Sequence, residues 1–235
     1  LFPKFKWTTT EPNWEDIEKR IHSEVAAIIV EPIQGEGGDN HFPPVFFKNL
    51  RRIADENDCL LIFDEVQTGM GLTGKMWAYE HFGIVPDMIC FGKKTQVCGF
   101  CSTGRIDEVE DNVFNTSGRI NSTWGGNIVD MVRFRYIIDA IQKEDLVKNA
   151  QDIGGTLLWA LRKFPALDNV RGRGLMIAFD LDSPEQRDKM MALLQENMLV
   201  LKSGEKSIRL RPSLTFSADD VDLATSYISE AIHKL

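Results

Sequence analysis

The chain has no apolar run near the roughly 18 residues that a membrane-spanning helix requires. Its longest clean ones, such as VAAIIV at 25–30, are strand-sized, so no membrane partner is expected. It also lacks an excess of positive charge. Its 27 Lys and Arg face 35 Asp and Glu, a net charge of -8 that argues against a nucleic-acid surface. Cysteine is scarce: four residues with unremarkable spacing suggest a reducing, cytoplasmic setting rather than a disulfide scaffold. The opening residues LFPKFKW carry no initiating Met and no charged, apolar or cleavage region of a signal peptide, so the chain reads as a piece of something longer. Repeats and low-complexity segments are missing too. What is there, 43% hydrophobic and 26% charged residues over 235 positions, suits a soluble globular protein with a real core.

One cysteine pair spells C-x-x-C, Cys98-Gly-Phe-Cys101. A redox or zinc role needs a helix start beneath the first thiol, or a second ligand pair nearby. The following STGRID reads instead as a strand ending in a turn, so the pair is expected to be buried small residues and no metal is expected.

Along the first half, Asn13 caps a helix to about residue 23, 25–30 is a strand, and Pro43-Pro44 opens a helix with Phe46, Phe47, Leu50 and Ile53 on one face. Then come a strand at 59–63, a short helix at 75–82 and a strand at 88–91. Strands without polar alternation, separated by helices, predict a mostly parallel α/β sheet covered on both faces. Chemistry collects at the C-terminal ends of such strands, and ionisable residues stand at all three: Glu31, Asp64-Glu65 and Lys93-Lys94. From Gly126 onward the pattern is α+β. Helices are expected at about 127–142 and 145–164, the second interrupted by Gly154-Gly155, with a strand at 175–181. A helix at 184–197, short strands at 199–201 and 208–210 and a closing helix at 218–233 complete it. These changes suggest two domains, 1–136 and 137–235.

The stretch CLLIFDEVQTGMGLTG at 59–74 ends in G-x-G-x-x-G, the spelling of a dinucleotide site. Such a site needs the first glycine at the strand's end and an acid closing the next strand. Here an Asp-Glu pair precedes the glycines and Lys93-Lys94 close the next strand, so the glycines are expected to shape a tight loop. An Asp at one strand end and a Lys at the next, 29 positions on, instead suit pyridoxal 5'-phosphate. Its aldehyde needs an amine nucleophile, and a carboxylate keeps its ring nitrogen protonated.

FDEVQTGMGLTG followed by PDMICFGKK resembles the class III (omega) aminotransferases, pyridoxal-phosphate enzymes of fold type I. EPIQGEGG (31–38), NSTWGGN (121–127), RGRGLM (171–176) and RLRPSLT (209–215) extend the likeness over nearly the whole chain. EPIQGEGGDNHF, GKKTQVCG and NSTWGGN are most similar to the lysine 6-aminotransferase branch.

The resemblance implies an α/β large domain continuing into a smaller α+β domain, and a homodimer with shared sites. It makes Lys93 the Schiff-base lysine, Asp64 the ring-nitrogen partner, Gln67 a contact to the ring hydroxyl and Thr123 a ligand of the neighbouring subunit's cofactor phosphate. Arg209 is implied to receive the α-carboxylate of glutamate or 2-oxoglutarate. Glu36 is implied to pair with that arginine while L-lysine presents its ε-amine. Lys94 is expected to be a packed or solvated neighbour.

The implied reaction passes the ε-amino group of L-lysine to 2-oxoglutarate, ping-pong through a pyridoxamine form. It gives glutamate and 2-aminoadipate 6-semialdehyde. In the family the phosphate cradle, the ring-stacking aromatic and the arginine for lysine's own carboxylate precede the segment matched by Leu1, so this piece alone is expected to bind the cofactor poorly. Residues 6–12 read as shorter than the family's pattern. The alternatives are another omega-aminotransferase, acting on 4-aminobutyrate or ornithine, and a non-catalytic dimerisation module.

Overall fold

A computed structural model describes residues 12–120, 123 and 125–235. Of the 6–12 stretch, expected to be short, residues 6–11 lie outside the described residues, as do Asn121, Ser122 and Trp124 of the NSTWGGN motif.

The Asn13 side chain accepts the Asp16 amide and starts α1 (Trp14–Arg20), which has acids in its first turn and bases in its last. β1 (Ala27–Val30), β2 (Leu60–Asp64) and β3 (Met88–Phe91) run parallel in that order, and β4 (Gly99–Ser102) closes the edge antiparallel to β3. Between β1 and β2, α2 (Pro44–Glu56) buries Phe46, Phe47, Leu50 and Ile53 against the sheet. Phe47 packs on Phe63 and Phe82 at ring separations of 5.2 and 4.1 Å. The mostly parallel sheet is as expected, but its coverage is not: Ile29 is 53% exposed, so one face of β1 is open among the described residues.

α3 (Ile128–Lys143) and α4 (Leu146–Leu161) lead into a second sheet, β5 (Asp168–Arg173), β6 (Met176–Asp180), β8 (Ser207–Leu210) and β7 (Leu201–Ser203), antiparallel throughout. α5 (Pro184–Leu194) and α6 (Ala218–His233) join α4 around a core built on Leu157, Ile177, Phe179, Ile208 and Ile228. The expected domain border falls inside α3, which is one unbroken helix.

Several local expectations need correcting. The short helix at 75–82 is a single 3-10 turn, Ala78–His81. β5 was not anticipated at all. Gly154-Gly155 do not interrupt α4. A Cβ on Gly154 would fall 2.1 Å from the Gly174 carbonyl oxygen, and one on Gly174 would fall 2.5 Å from the Thr73 carbonyl carbon. The glycines therefore let α4, the β5–β6 turn and the GMGLTG loop stack backbone on backbone. Leu175 N–H donates to Leu72 O at 2.8 Å in the same seam, and Ile33, Leu72, Ala150, Leu175 and Met176 pack there. Cys98 and Cys101 are exposed rather than buried, since β4 is the edge strand.

Candidate active site

Asp64 is the last residue of β2, and its Oδ1 accepts the Val66 amide at 3.0 Å. Oδ2 takes no protein partner among the described residues. In the parallel register Asp64 faces Cys90 of β3, and Glu65 N–H donates to Cys90 O at 2.9 Å. Past β3, Gly92 is extended and Lys93 opens a 3-10 turn, Lys93–Thr95, with φ at +55°. Few residues other than Gly, Asn or Asp adopt that left-handed conformation, and such strain gathers at functional sites. Lys93 itself is exposed.

After β1, the Glu31 carboxylate accepts the Gly35 amide at 2.9 Å. A Cβ on Gly35 would land 2.3 Å from the Gln67 side-chain amide, so Gln67 packs directly on the glycine backbone. Burial pushes the Glu31 carboxyl above its usual range. The Gly35 amide opposes the rise, Asp64 adds to it, Lys93 opposes it and Glu36 adds to it. At the strand ends one amine, Lys93, and two carboxylates, Asp64 and Glu36, thus act electrostatically on Glu31.

The neighbouring acid and lysine turn away from it. Glu65 is buried and accepts the Ala78 and Tyr79 amides at 2.7 and 2.8 Å and the Thr68 hydroxyl at 3.0 Å. It seats the loop after the glycines, which leads into the 3-10 turn Ala78–His81 rather than a long helix. Lys94 Nζ donates to Gln67 O at 2.6 Å. Burial first, then Lys93 and Arg211, lower its pKa to about 8, with Glu65 opposing. Lys94 is therefore a packed neighbour that ties the end of β3 to the turn carrying Gln67.

Arg209, on the buried strand β8, donates through Nη2 to Glu36 Oε1 at 2.5 Å. Its Nε is buried without a hydrogen-bond partner among the described residues. Arg211, just beyond β8, pairs with the fully buried Asp39 carboxylate. Thr123 lies exposed ahead of α3, and no hydrogen bond joins it to the other candidates among the described residues. A cavity of about 260 Å³ opens in the second lobe between α6 and the end of β8, away from the strand-end carboxylates.

A family model described as aminotransferase class-III matches residues 6–232. The chain belongs to this family. It is 48% identical over 221 residues to an L-lysine-epsilon aminotransferase of Mycobacterium tuberculosis, spanning 92% of this chain and 49% of that protein. To the human mitochondrial 4-aminobutyrate aminotransferase it is 39% identical over 216 residues, 88% of this chain and 42% of that one. Among solved structures, a lysine aminotransferase from M. tuberculosis superposes with a TM-score of 0.86 at 48% identity, covering 88% of this chain and 49% of the other. The chain thus spans about half the length of the relatives it matches. Its mostly parallel α/β sheet is that of the fold type I aminotransferases, and the family uses pyridoxal phosphate.

The strand ends fit that cofactor chemically. An amine, a carboxylate with one oxygen open and a side-chain amide lie at adjoining segments, and glycine stands where a Cβ would push the amide away.

Asp64, Lys93 and Glu36 all act electrostatically on Glu31, Gln67 packs on the Gly35 backbone, Arg209 meets Glu36, and Thr123 shares no hydrogen bond with them among the described residues. The sequence places Glu31 at a strand end without giving it a role, and it does not mark Asp39 or Arg211. The signal for Glu31 is its place directly after an apolar strand. Asp39 and Arg211 give none that distinguishes them from surface charges.

Proposed function

We propose that the chain is part of a pyridoxal-phosphate-dependent transaminase that moves the ε-amino group of L-lysine to 2-oxoglutarate, giving glutamate and 2-aminoadipate 6-semialdehyde. The observation that carries this reading is the placement of Asp64 at the end of β2 and Lys93 just past the adjacent parallel β3, both acting electrostatically on Glu31. When bound, the cofactor supplies an electrophilic aldehyde and an electron-accepting ring. Lys93 would hold it through its amine and carry a proton to and from the substrate carbon. The open oxygen of Asp64 would hold a proton on the ring nitrogen, and Gln67 would bond the ring hydroxyl.

Arg209 would receive the α-carboxylate of glutamate or 2-oxoglutarate, for which a guanidinium fork is suited. Glu36 would cover it while lysine presents its ε-carbon, which carries an amine and no carboxylate. The pairing suits any ω-amine donor, and the 48% identity to the lysine enzyme against 39% to the 4-aminobutyrate enzyme supports lysine. Residues 1–136 would then belong to the large domain and 137–235 to the small one. The exposed stripe Ile128, Val132 and Tyr136 at the start of α3 supports a homodimer in which Thr123 serves the partner's cofactor phosphate. Four free thiols support a reducing, cytoplasmic setting, and among the described residues no helix is long and apolar enough to cross a membrane. Because the chain covers about half of its relatives, a non-catalytic dimerisation module is the second reading.

Borohydride reduction of the intact protein with pyridoxal phosphate, followed by peptide mapping, tests the proposal. Label on Lys93 and faster turnover of lysine than of ornithine or 4-aminobutyrate support it. Label on Lys94 overturns the assignment of the lysine, and an absence of binding favours the module.

A further inference from the structure

We infer that Ser203 is a positioning residue for Glu36: it staples the 35–39 turn to the second sheet, so that the cover over Arg209 opens by rotation of one side chain on a fixed backbone. The inference rests on the donor switch proposed above for Glu36 and Arg209.

Every backbone carbonyl from Gly35 to Asp39 is taken. Ser203 Oγ donates to Gly35 O at 2.6 Å, and the same oxygen accepts the Gly38 amide at 3.0 Å. Gly204 N–H donates to Glu36 O at 3.1 Å. Asn40 Nδ2 donates to Gly37 O at 3.0 Å. Arg171 donates through Nη2 to Gly38 O at 2.6 Å and through Nε to Asp39 O at 2.8 Å. Four of these five carbonyls are held by the second lobe, the one that carries Arg209.

The two backbones touch. A Cβ on Gly204, whose φ is +54°, would fall 2.8 Å from Gly38 Cα. Ser203 is 2% exposed and sits at the centre of this seam, donating and accepting through one hydroxyl. The Glu36 side chain is 75% exposed and holds Arg209 as its only partner among the described residues. A side chain free to turn on a backbone without slack can exchange positions quickly and return to one geometry. A moving loop would have to break the Ser203, Gly204 and Arg171 bonds together.

The test measures amide exchange and half-reaction rates on the intact protein. In the unaltered, cofactor-loaded protein, protection of the Gly38 and Gly204 amides should be equal under saturating lysine and saturating glutamate. A difference above tenfold would mean that the turn itself moves, which overturns the inference. In Ser203→Ala those two amides should exchange at least tenfold faster without cofactor, and the ratio of lysine to glutamate half-reaction rates should fall about tenfold, the size of a lost hydrogen bond. Unchanged exchange, or an equal fall in both half-reactions, overturns it.

Glu36→Gln separates the two proposals. If that variant leaves the ratio unchanged, the switch reading itself fails. If it lowers the ratio and Ser203→Ala does not, the inference about Ser203 alone fails.

Discussion

Arg209 and Glu36 meet across the two sheets, the guanidinium 9% exposed and the carboxylate 75% exposed, with Nη2 to Oε1 at 2.5 Å. The contact uses one prong of the fork, and Arg209 Nε is buried without a partner among the described residues. A buried, incompletely bonded guanidinium is costly unless a further acceptor completes it. Under the proposed reading a ligand carboxylate binding bidentately would do so, and in doing so would displace Glu36.

Glu36→Gln therefore keeps the shape and removes the charge that masks Arg209. In single-turnover measurements the lysine half-reaction should slow about tenfold, the scale of one charge-assisted hydrogen bond, while the glutamate half-reaction holds or quickens. Equal losses in both would count against a mask.

Much of this site was legible because strand ends betray themselves: an apolar run stops and a charge follows, as at Val30-Glu31, Phe63-Asp64 and Phe91-Gly92-Lys93. Less legible was what adjacent, chemically identical residues do. Lys93 and Lys94 differ only in their place on a left-handed turn, and that sends one outward and the other under Gln67. Long-range pairings such as Ser203 with Gly35, or Gly154 with Gly174, leave no local pattern, because the partners lie in different lobes and only packing brings them together. The open face of β1 was misread for a related reason: an apolar strand announces that it needs covering without saying which segment covers it.

The α3 stripe gives a test of association. Ile128, Val132 and Tyr136, spaced four apart, are 77, 52 and 69% exposed. A face of that size on a helix is usually an interface. Val132→Glu should convert a dimer to a monomer in light scattering at micromolar protein, with the melting temperature of the second lobe unchanged. Persistence of the dimer would place its interface elsewhere.

Lys94 makes stability depend on pH. Its folded pKa, about 8, lies below the ordinary lysine value because burial and the facing Lys93 and Arg211 disfavour the ammonium, with Glu65 the one facing acid that opposes them. Between that value and the unfolded one the unfolded chain binds more protons, so this group raises stability as pH climbs from about 8 toward 10.5. Below 8 its cost is fully present, and over the whole window the gain is at most about 3 kcal/mol. Urea titrations at pH 7, 8, 9 and 10 should show the rise in the parent and a flatter profile in Lys94→Met. Parallel profiles would mean that Lys94 is not desolvated.

The glycine pair in α4 offers a test in which neighbours should respond with opposite signs. Replacing a mid-helix glycine by alanine ordinarily stabilises by up to about 1 kcal/mol, since alanine leaves less backbone entropy to lose on folding. Gly155 has nothing within 4 Å of an added Cβ, and Gly155→Ala should show that gain. At Gly154 the added Cβ would sit 2.1 Å from Gly174 O and 2.7 Å from Gly174 Cα, both backbone atoms. Gly174 cannot retreat, because its own Cα faces the Thr73–Gly74 backbone. The seam between the lobes must open, so Gly154→Ala should lose about 2 kcal/mol or more, the cost of overpacking a closed contact. Thermal melts of the two variants side by side decide it, and stabilisation by both would mean that α4 does not lie on the β5–β6 turn.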